Sequence, residues 1–237
     1  MKKFAVILAS GNAVRMSGID KMIGLVAGKP LVSFSIEAFL NCKTFDQIYV
    51  TVNDSNRAVI EEIVRGYSSI DNDIVVISGG IRRQDSVKNA LDMILHANLD
   101  MILNANLVAV HDGARPLLTE KIIIEGLEVA LKYDSAIPVV PIEDTIKEIT
   151  PDFEITRTLE RSKLYRSQTP QFFDFGMLYR AHKIIDEDMT DDAAMVEKIG
   201  HSIKAYSGDR KNLKITVPED ILVAEAYLDR RASIDRS

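Results

Sequence analysis

Residues 108–122 read VAVHDGARPLLTEKI, an apolar run that stops on an Asp, a Gly and an Arg–Pro pair before a helical pattern begins. Val108–Val110 contains no polar residue, as expected of a strand covered on both faces. Thr119 is placed to cap the helix that follows, TEKIIIEGLEVALKY. A buried strand passing into a helix through a short polar turn is the unit of a parallel α/β sheet, whose ligands gather at the carboxyl ends of strands. Asp112 and Arg115 stand at such an end. Pairing with each other would satisfy both, and so would a metal ion and a phosphate.

The same unit recurs along the chain. Continuous apolar runs predict strands at Phe4–Ala9, Gln47–Val52, Ile74–Ile77, Leu107–Val110 and Ala136–Val140. Between them, RRQDSVKNALDMILHA places Val87, Ala90, Leu91, Ile94 and Leu95 on one helical stripe. KPLVSFSIEAFLN opens on Pro30, a residue suited to a first helical turn. The predicted fold class is α/β, a doubly wound, mostly parallel Rossmann-like sheet. NLKITVPEDILVAE adds a strand, a proline-led cap and a last helix.

The sequence of 237 residues, 46% hydrophobic and 27% charged, is sufficient for one large α/β domain, here taken as residues 1–237. A net charge of −6 argues against general nucleic-acid or membrane-surface binding, so an anionic ligand must be held by a local basic cluster. The apolar stretch Phe4–Ala9 is shorter than the about 7–15 residues of a signal-peptide core, and it runs straight into a glycine turn. With no stretch of about 20 apolar residues and one cysteine, Cys42, a cytoplasmic protein with a structural thiol is expected.

Residues 141–168 depart from this pattern. Thr and Ile alternate with charges, and a Pro–Asp turn at 151–152 separates two extended runs. This predicts a protruding β-arm without a continuous apolar face of its own. Two strands alone are marginal, so the arm is expected to pack against something else, plausibly a second subunit.

The first strand opens into LASGNAVRMSGIDK. A glycine turn there presents backbone N–H groups to phosphate. It is not the dinucleotide fingerprint, because Ala13 stands where the second glycine belongs. GLVAGKP is not a P-loop either, having Pro30 in place of Ser or Thr. Two cations on the loop, Arg15 and Lys21, suit a triphosphate.

Further segments follow in order: SGGIRRQDSV (78–87), VHDGAR (110–115), DTIK (144–147), LERSKLYRSQTPQFF (159–173), TDDAAMVEKIG (190–200) and NLKITVPEDILVAE (212–225). Together with the first loop, this set resembles the 2-C-methyl-D-erythritol 4-phosphate cytidylyltransferase family of the non-mevalonate isoprenoid pathway, over nearly the whole chain. The resemblance implies a nucleotidyltransferase that moves CMP from CTP to a sugar-alcohol phosphate and releases pyrophosphate. It implies Mg²⁺ as cofactor and a homodimer, while the net charge of −6 already argues for no nucleic-acid or membrane partner. By position, Arg15 and Lys21 would grip the triphosphate. Ala9, Ser10 and Gly11 would line the nucleotide site, and Gly80, Arg83 and Ser86 would recognise cytosine and ribose. Asp112 would lie at the metal, with Arg115 in the same acceptor-facing turn. Thr145 and Arg161 would reach from the arm into the neighbouring subunit, while Thr169 and Lys214 would serve the acceptor side. Such chemistry brings two anions together, so it calls for positioning and charge neutralisation rather than a nucleophile–base pair.

This chain departs from the family in its first loop, at Ser10, Ala13 and Asp20, the last in place of a proline. Asp20 beside Lys21 is expected to weaken that lysine's hold on phosphate. His111 precedes Asp112 and by alternation should point away from it. His96, His182 and His201 lack metal-ligand spacing. The alternatives left open are a ribitol-5-phosphate cytidylyltransferase and a non-catalytic nucleotide-binding protein.

Overall fold

The computed structural model describes residues 1–11, 20–67, 73–97 and 106–234. Strand β1 (Lys3–Leu8) is followed by a small ribbon, β2 (Leu25–Val26) and β3 (Lys29–Pro30), and by helix α1 (Leu31–Cys42). The alternation continues through β4 (Gln47–Val52), α2 (Arg57–Arg65), β5 (Asp73–Ser78), α3 (Arg83–Ala97), β6 (Leu107–Asp112), α4 (Glu120–Tyr133) and β7 (Ser135–Pro141). A hairpin of β8 (Lys147–Ile149) and β9 (Ile155–Thr158) comes next, then β10 (Tyr165–Ser167), β11 (Gln171–Asp174) and α5 (Phe175–Ile184). The chain closes with α6 (Asp192–Lys198), β12 (Ala205–Ser207) and α7 (Glu219–Ile234).

The eight-stranded sheet has the order β10-β7-β11-β6-β1-β4-β5, with β12 paired to β7. From β1 the chain moves outward through β4 and β5, then returns to place β6 on the other side of β1. All of these pairings are parallel. The strand order therefore reverses between β1 and β6, and a crevice opens at their carboxyl ends. Successive side chains leave the sheet on opposite faces. Ala5 and Ile7 pack with α1, α4 and Ala224 of α7, whereas Phe4 and Val6 pack with α3, α5 and α6. Each predicted parallel strand lies in this sheet. Thr119 caps α4, its side chain accepting from Ile122 N–H.

Three features differ from the sequence reading. Strand β11 is inserted antiparallel between β6 and β7, and its Phe172 and Phe173 enter opposite cores. A four-residue run inside a polar stretch gives little periodicity to detect. The expected strand around Lys214–Val217 forms no ladder, and Ile215 N–H donates to Ala114 O at 2.8 Å instead. The protruding part of the arm is narrower than 141–168, because Pro141 and Tyr165–Ser167 pair within the main sheet. Its hairpin, β8 with β9, turns at Pro151–Asp152. Among the described residues no helix is long and apolar enough to cross a membrane.

Candidate active site

The crevice between β1 and β6 is the candidate site. Leu8 and Asp112 are register partners at the two strand ends. The turn after β6 folds against β1, with Gly113 N–H donating to Leu8 O at 3.0 Å. A Cβ on Gly113 would lie 2.9 Å from that carbonyl and 2.7 Å from Met22 Cε, so only glycine fits this approach. Loops from neighbouring strands complete the cleft, which is lined by Ser10, Gly11, Lys21, Gly80, Arg83, Ser86, Asp112 and Lys214 together with Leu8, Met22 and Ile81.

Asp112 is the centre of charge. Lys214 Nζ lies 3.1 Å from its carboxylate, Arg115 Nε 3.4 Å and Arg83 Nε 3.5 Å. Burial alone would raise the Asp112 carboxyl, but Arg83, Lys214 and Arg115 outweigh it and hold the group well below the usual carboxylate range. Its backbone N–H donates to Thr169 Oγ1 at 3.0 Å, which fixes the end of β6. Arg115 Nη1 donates to Asn212 O at 2.8 Å. The ion pair of Asp112 with Arg115 is therefore present, but it is one of three.

Lys21 is almost buried and donates from Nζ to Ile215 O at 3.0 Å. Burial lowers its pKa, and the neighbouring Lys214 lowers it further. Lys214 thus faces the crevice from the segment after β12, and Lys21 from the loop after β1. The nucleotide-side residues are joined by hydroxyls. Ser10 Oγ lies 2.8 Å from Ser86 Oγ and 3.2 Å from Thr51 Oγ1, and Gly80 N–H donates to Ser86 Oγ at 2.9 Å. Gly79 must lack a Cβ, which would lie 2.2 Å from Ser10 Cβ.

Of the residues singled out in the sequence, Lys21, Ser10, Gly11, Gly80, Arg83, Ser86, Asp112 and Lys214 line one cleft. Ala9, Arg115 and Thr169 are buried behind it. Arg15 lies outside the described residues, as does Ala13. Thr145 and Arg161 are exposed on the arm rather than in their own chain's cleft, and Arg161 donates to Glu143 O. Asp20 makes no ion pair with Lys21 among the described residues. Its carboxylate accepts from Asn53 Nδ2, Asn56 Nδ2 and Met22 N–H. His111 is fully buried, edge-on to Phe39, and burial pushes its pKa down to about 3, so it is neutral and structural as the alternation implied.

Sequence reasoning missed the support of Arg83. Asp192, fully buried, accepts from Arg83 Nη1 at 2.7 Å and lies 2.9 Å from His182 Nε2. Burial would depress the Arg83 guanidinium, but Asp192 and Asp112 together keep it firmly charged. The signal was the acidic start of TDDAAMVEKIG; Asp191 caps α6, which leaves Asp192 free to turn inward. Asn212 was missed too. It is fully buried and donates from Nδ2 to Thr169 O at 2.9 Å.

Lys21, Arg83 and Lys214 in the cleft, with Arg115 behind it, gather around one carboxylate, an arrangement suited to a polyanion. The family model described as IspD, 2-C-methyl-D-erythritol 4-phosphate cytidylyltransferase, matches residues 4–230. A protein of that name from Dehalococcoides mccartyi is 39% identical over 226 residues, covering 95% of this chain and 96% of its own. Another, from Caldanaerobacter subterraneus, is 37% identical over 232 residues, covering 96% of this chain and 99% of its own. The crystal structure of 4-diphosphocytidyl-2C-methyl-D-erythritol synthase from Anaerococcus prevotii superposes with a TM-score of 0.82 at 28% identity, covering 96% of each chain.

Proposed function

The chain belongs to the 2-C-methyl-D-erythritol 4-phosphate cytidylyltransferase family, and we propose how its own residues divide that family's reaction among them. The enzyme is a nucleotidyltransferase that moves the cytidylyl group of CTP onto 2-C-methyl-D-erythritol 4-phosphate. An oxygen of the acceptor phosphate attacks the α-phosphorus and pyrophosphate leaves. That oxygen is already ionised, so no general base is required, and the barrier is mainly the approach of two anions.

The observation that carries this reading is the ring of Arg83, Arg115 and Lys214 around Asp112, with Lys21 beside it. Lys21 and Arg15 take the triphosphate and neutralise charge growing on the leaving pyrophosphate. Ser10 and Ser86, tied to each other, fix the loops that hold cytosine and ribose. Lys214 is the most exposed cation of the ring, with 40% of its side chain accessible, and is free to turn from Asp112 to an incoming phosphate. Arg115 and Thr169 hold the Asp112 turn from behind.

Among the described residues Asp112 is the one carboxylate lining the cleft, which suits Mg²⁺, an ion that takes one or two carboxylates and completes its shell with phosphate oxygens and water. When bound there, Mg²⁺ would offset phosphate charge. A reducing, cytoplasmic setting fits the single thiol, Cys42. The arm supports a homodimer: Phe153, Ile155 and Ile149 are 84%, 64% and 48% exposed, an apolar surface its own chain leaves uncovered. Thr145 and Arg161 on that arm then serve the partner's acceptor site.

Pyrophosphate release tests the reading, with CTP, UTP, ATP and GTP each paired with methylerythritol phosphate and with ribitol phosphate. Release confined to CTP with methylerythritol phosphate is expected. Faster release with ribitol phosphate would reassign the acceptor, and none with any pair would leave a nucleotide-binding protein.

A further inference from the structure

The carboxylate of Asp20 is adjacent in sequence to Lys21, yet it faces two side-chain amides rather than the lysine. Asp20 Oδ2 accepts from Asn56 Nδ2 at 2.9 Å and from Asn53 Nδ2 at 3.0 Å, while Oδ1 accepts from Met22 N–H at 2.8 Å. The orientation of both amides is set by the backbone. Asn53 Oδ1 accepts from the N–H groups of Ser55 and Asn56 at 2.9 and 3.0 Å, and Asn56 Oδ1 accepts from Asn53 N–H at 3.1 Å. With each oxygen occupied in this way, each NH₂ must point to Asp20.

The same two groups reach the other end of the loop. Asn56 Nδ2 also donates to Ala9 O at 2.8 Å, and Asn53 Nδ2 to Ser10 O at 3.5 Å. Asn56 is fully buried. One pair of amides therefore joins the entry of the loop after β1, at Ala9–Ser10, to its exit at Asp20–Lys21. Among the described residues Lys21 forms no ion pair with a carboxylate; its ammonium donates to the Ile215 carbonyl and feels Asp112, Asp20 and Asp220 only as longer-range attraction, which leaves it available to phosphate.

We propose that Asn53 and Asn56 are positioning residues for the nucleotide cleft: they hold the Asp20 carboxylate away from Lys21 and fix the loop's two ends so that Lys21 faces the triphosphate. The inference rests on the cleft being the CTP site. It explains how the chain carries an acid next to a phosphate-binding lysine. The two side-chain amides and Met22 N–H give that acid three neutral donors, so it makes no direct ion pair with Lys21 and acts on it only at longer range.

The test is a charge inversion with rescue. Asn56→Asp keeps the acceptor toward Asn53 N–H but turns a carboxylate toward Asp20, and the repulsion should push Asp20 out of the clamp. Expected is a Kd for CTP, read by calorimetry with Mg²⁺ present, raised by about tenfold or more, with a matching rise in KM and a smaller change in kcat. Adding Asp20→Asn restores one donor–acceptor pair with the polarity reversed and should recover most of the CTP affinity. A Kd for CTP unchanged in folded Asn56→Asp would overturn the proposal. So would a raised Kd that the double variant leaves where it is, since that marks a packing defect rather than a misdirected charge. Should Asn56→Asp not fold, Asn53→Asp at the half-buried position carries the same two outcomes. Wild-type pyrophosphate release is recorded alongside: its absence counts against the assigned reaction, whereas the CTP-binding pattern judges the clamp on its own.

Discussion

Lys214 Nζ lies 3.1 Å from Asp112 Oδ2, with 40% of the lysine side chain exposed against 10% of the aspartate. The aspartate is the fixed member and the lysine the movable one, because Arg83, Arg115 and the Thr169 hydroxyl hold the end of β6 from the other sides. In the proposed reaction an incoming phosphate would compete for Lys214 and leave the other contacts of Asp112 in place.

Asp112→Asn should therefore impair both stability and activity. It removes the anion from three cations, and loss of one partner in a buried cluster costs about 3 kcal/mol or more. The sign with pH follows from the depressed Asp112 carboxyl: its stabilisation is complete above the unfolded value of about 3.9 and fades as pH falls toward its folded value. Denaturant midpoints of wild type and variant should differ most near neutrality and converge below about pH 4. A gap of constant size down the acid limb would show that the charge contributes nothing.

Asp192→Asn tests the support behind Arg83. The guanidinium would keep Asp112 but lose its 2.7 Å partner, with His182 left facing a neutral amide. The KM for CTP should rise by about tenfold with a smaller loss of kcat, as expected when a binding group is loosened rather than removed. Steady-state kinetics at saturating acceptor separates the two constants. Lowered thermal stability with an unaltered KM would make Asp192 a purely structural anchor.

For Lys21→Ala and Arg15→Ala the expected pattern is the reverse. Charge neutralisation at the leaving pyrophosphate matters most in the transition state, so kcat should fall by roughly 10²-fold or more while the protein stays folded. Unchanged kcat in either variant would remove that residue from the transition-state role.

What was legible in the sequence follows from the range over which each feature is encoded. The β1, β4, β5, β6 and β7 strands are apolar runs, the central β1, β4 and β6 because both their faces are covered, so a local window suffices to find them. The residues around Asp112 were placed by resemblance, through short motifs whose order along the chain is informative. Asp192 and Asn212 escaped because their partners are remote: Arg83 lies 109 residues from Asp192, and Arg115 lies 97 from Asn212. No periodicity links such pairs. Asp20 was read only against its neighbour in sequence, Lys21, whose hold on phosphate it was expected to weaken; its hydrogen-bond donors come from the turn before α2, 33 and 36 residues away, and no local window shows them.

Cys42 offers a check on burial with a pH sign of its own. Burial, assisted by Glu120, pushes its thiol up to about 12, and Sγ donates to Ala38 O at 3.2 Å. A raised thiol pKa stabilises the fold below the unfolded value of about 8.5 and loses that contribution as pH rises toward the folded one. Native protein at about pH 8 should resist alkylation that goes to completion once denatured. Stoichiometric labelling of the folded enzyme at that pH would show the thiol to be accessible.

The arm supplies the prediction with the widest consequence. Phe153 and Ile155 are exposed on a hairpin whose strands, among the described residues, pair only with each other, and Arg161 stands at its base, outside the residues that line its own cleft. Lys214, by contrast, sits inside the cleft against Asp112. If each active site takes Arg161 from one chain and Lys214 from the other, Arg161→Ala and Lys214→Ala are each nearly inactive as homodimers. Mixing them and allowing subunits to exchange creates heterodimers in which both defects fall in one site and the other is intact. At complete random exchange half the dimers are mixed, each with one good site of two, so activity should recover to roughly a quarter of wild type. Exchange is followed separately by native mass measurement on tagged subunits. Recovery near that level identifies composite sites. Full exchange without recovery would place both residues in one chain's own site, and the arm would then have to be explained by dimer stability alone.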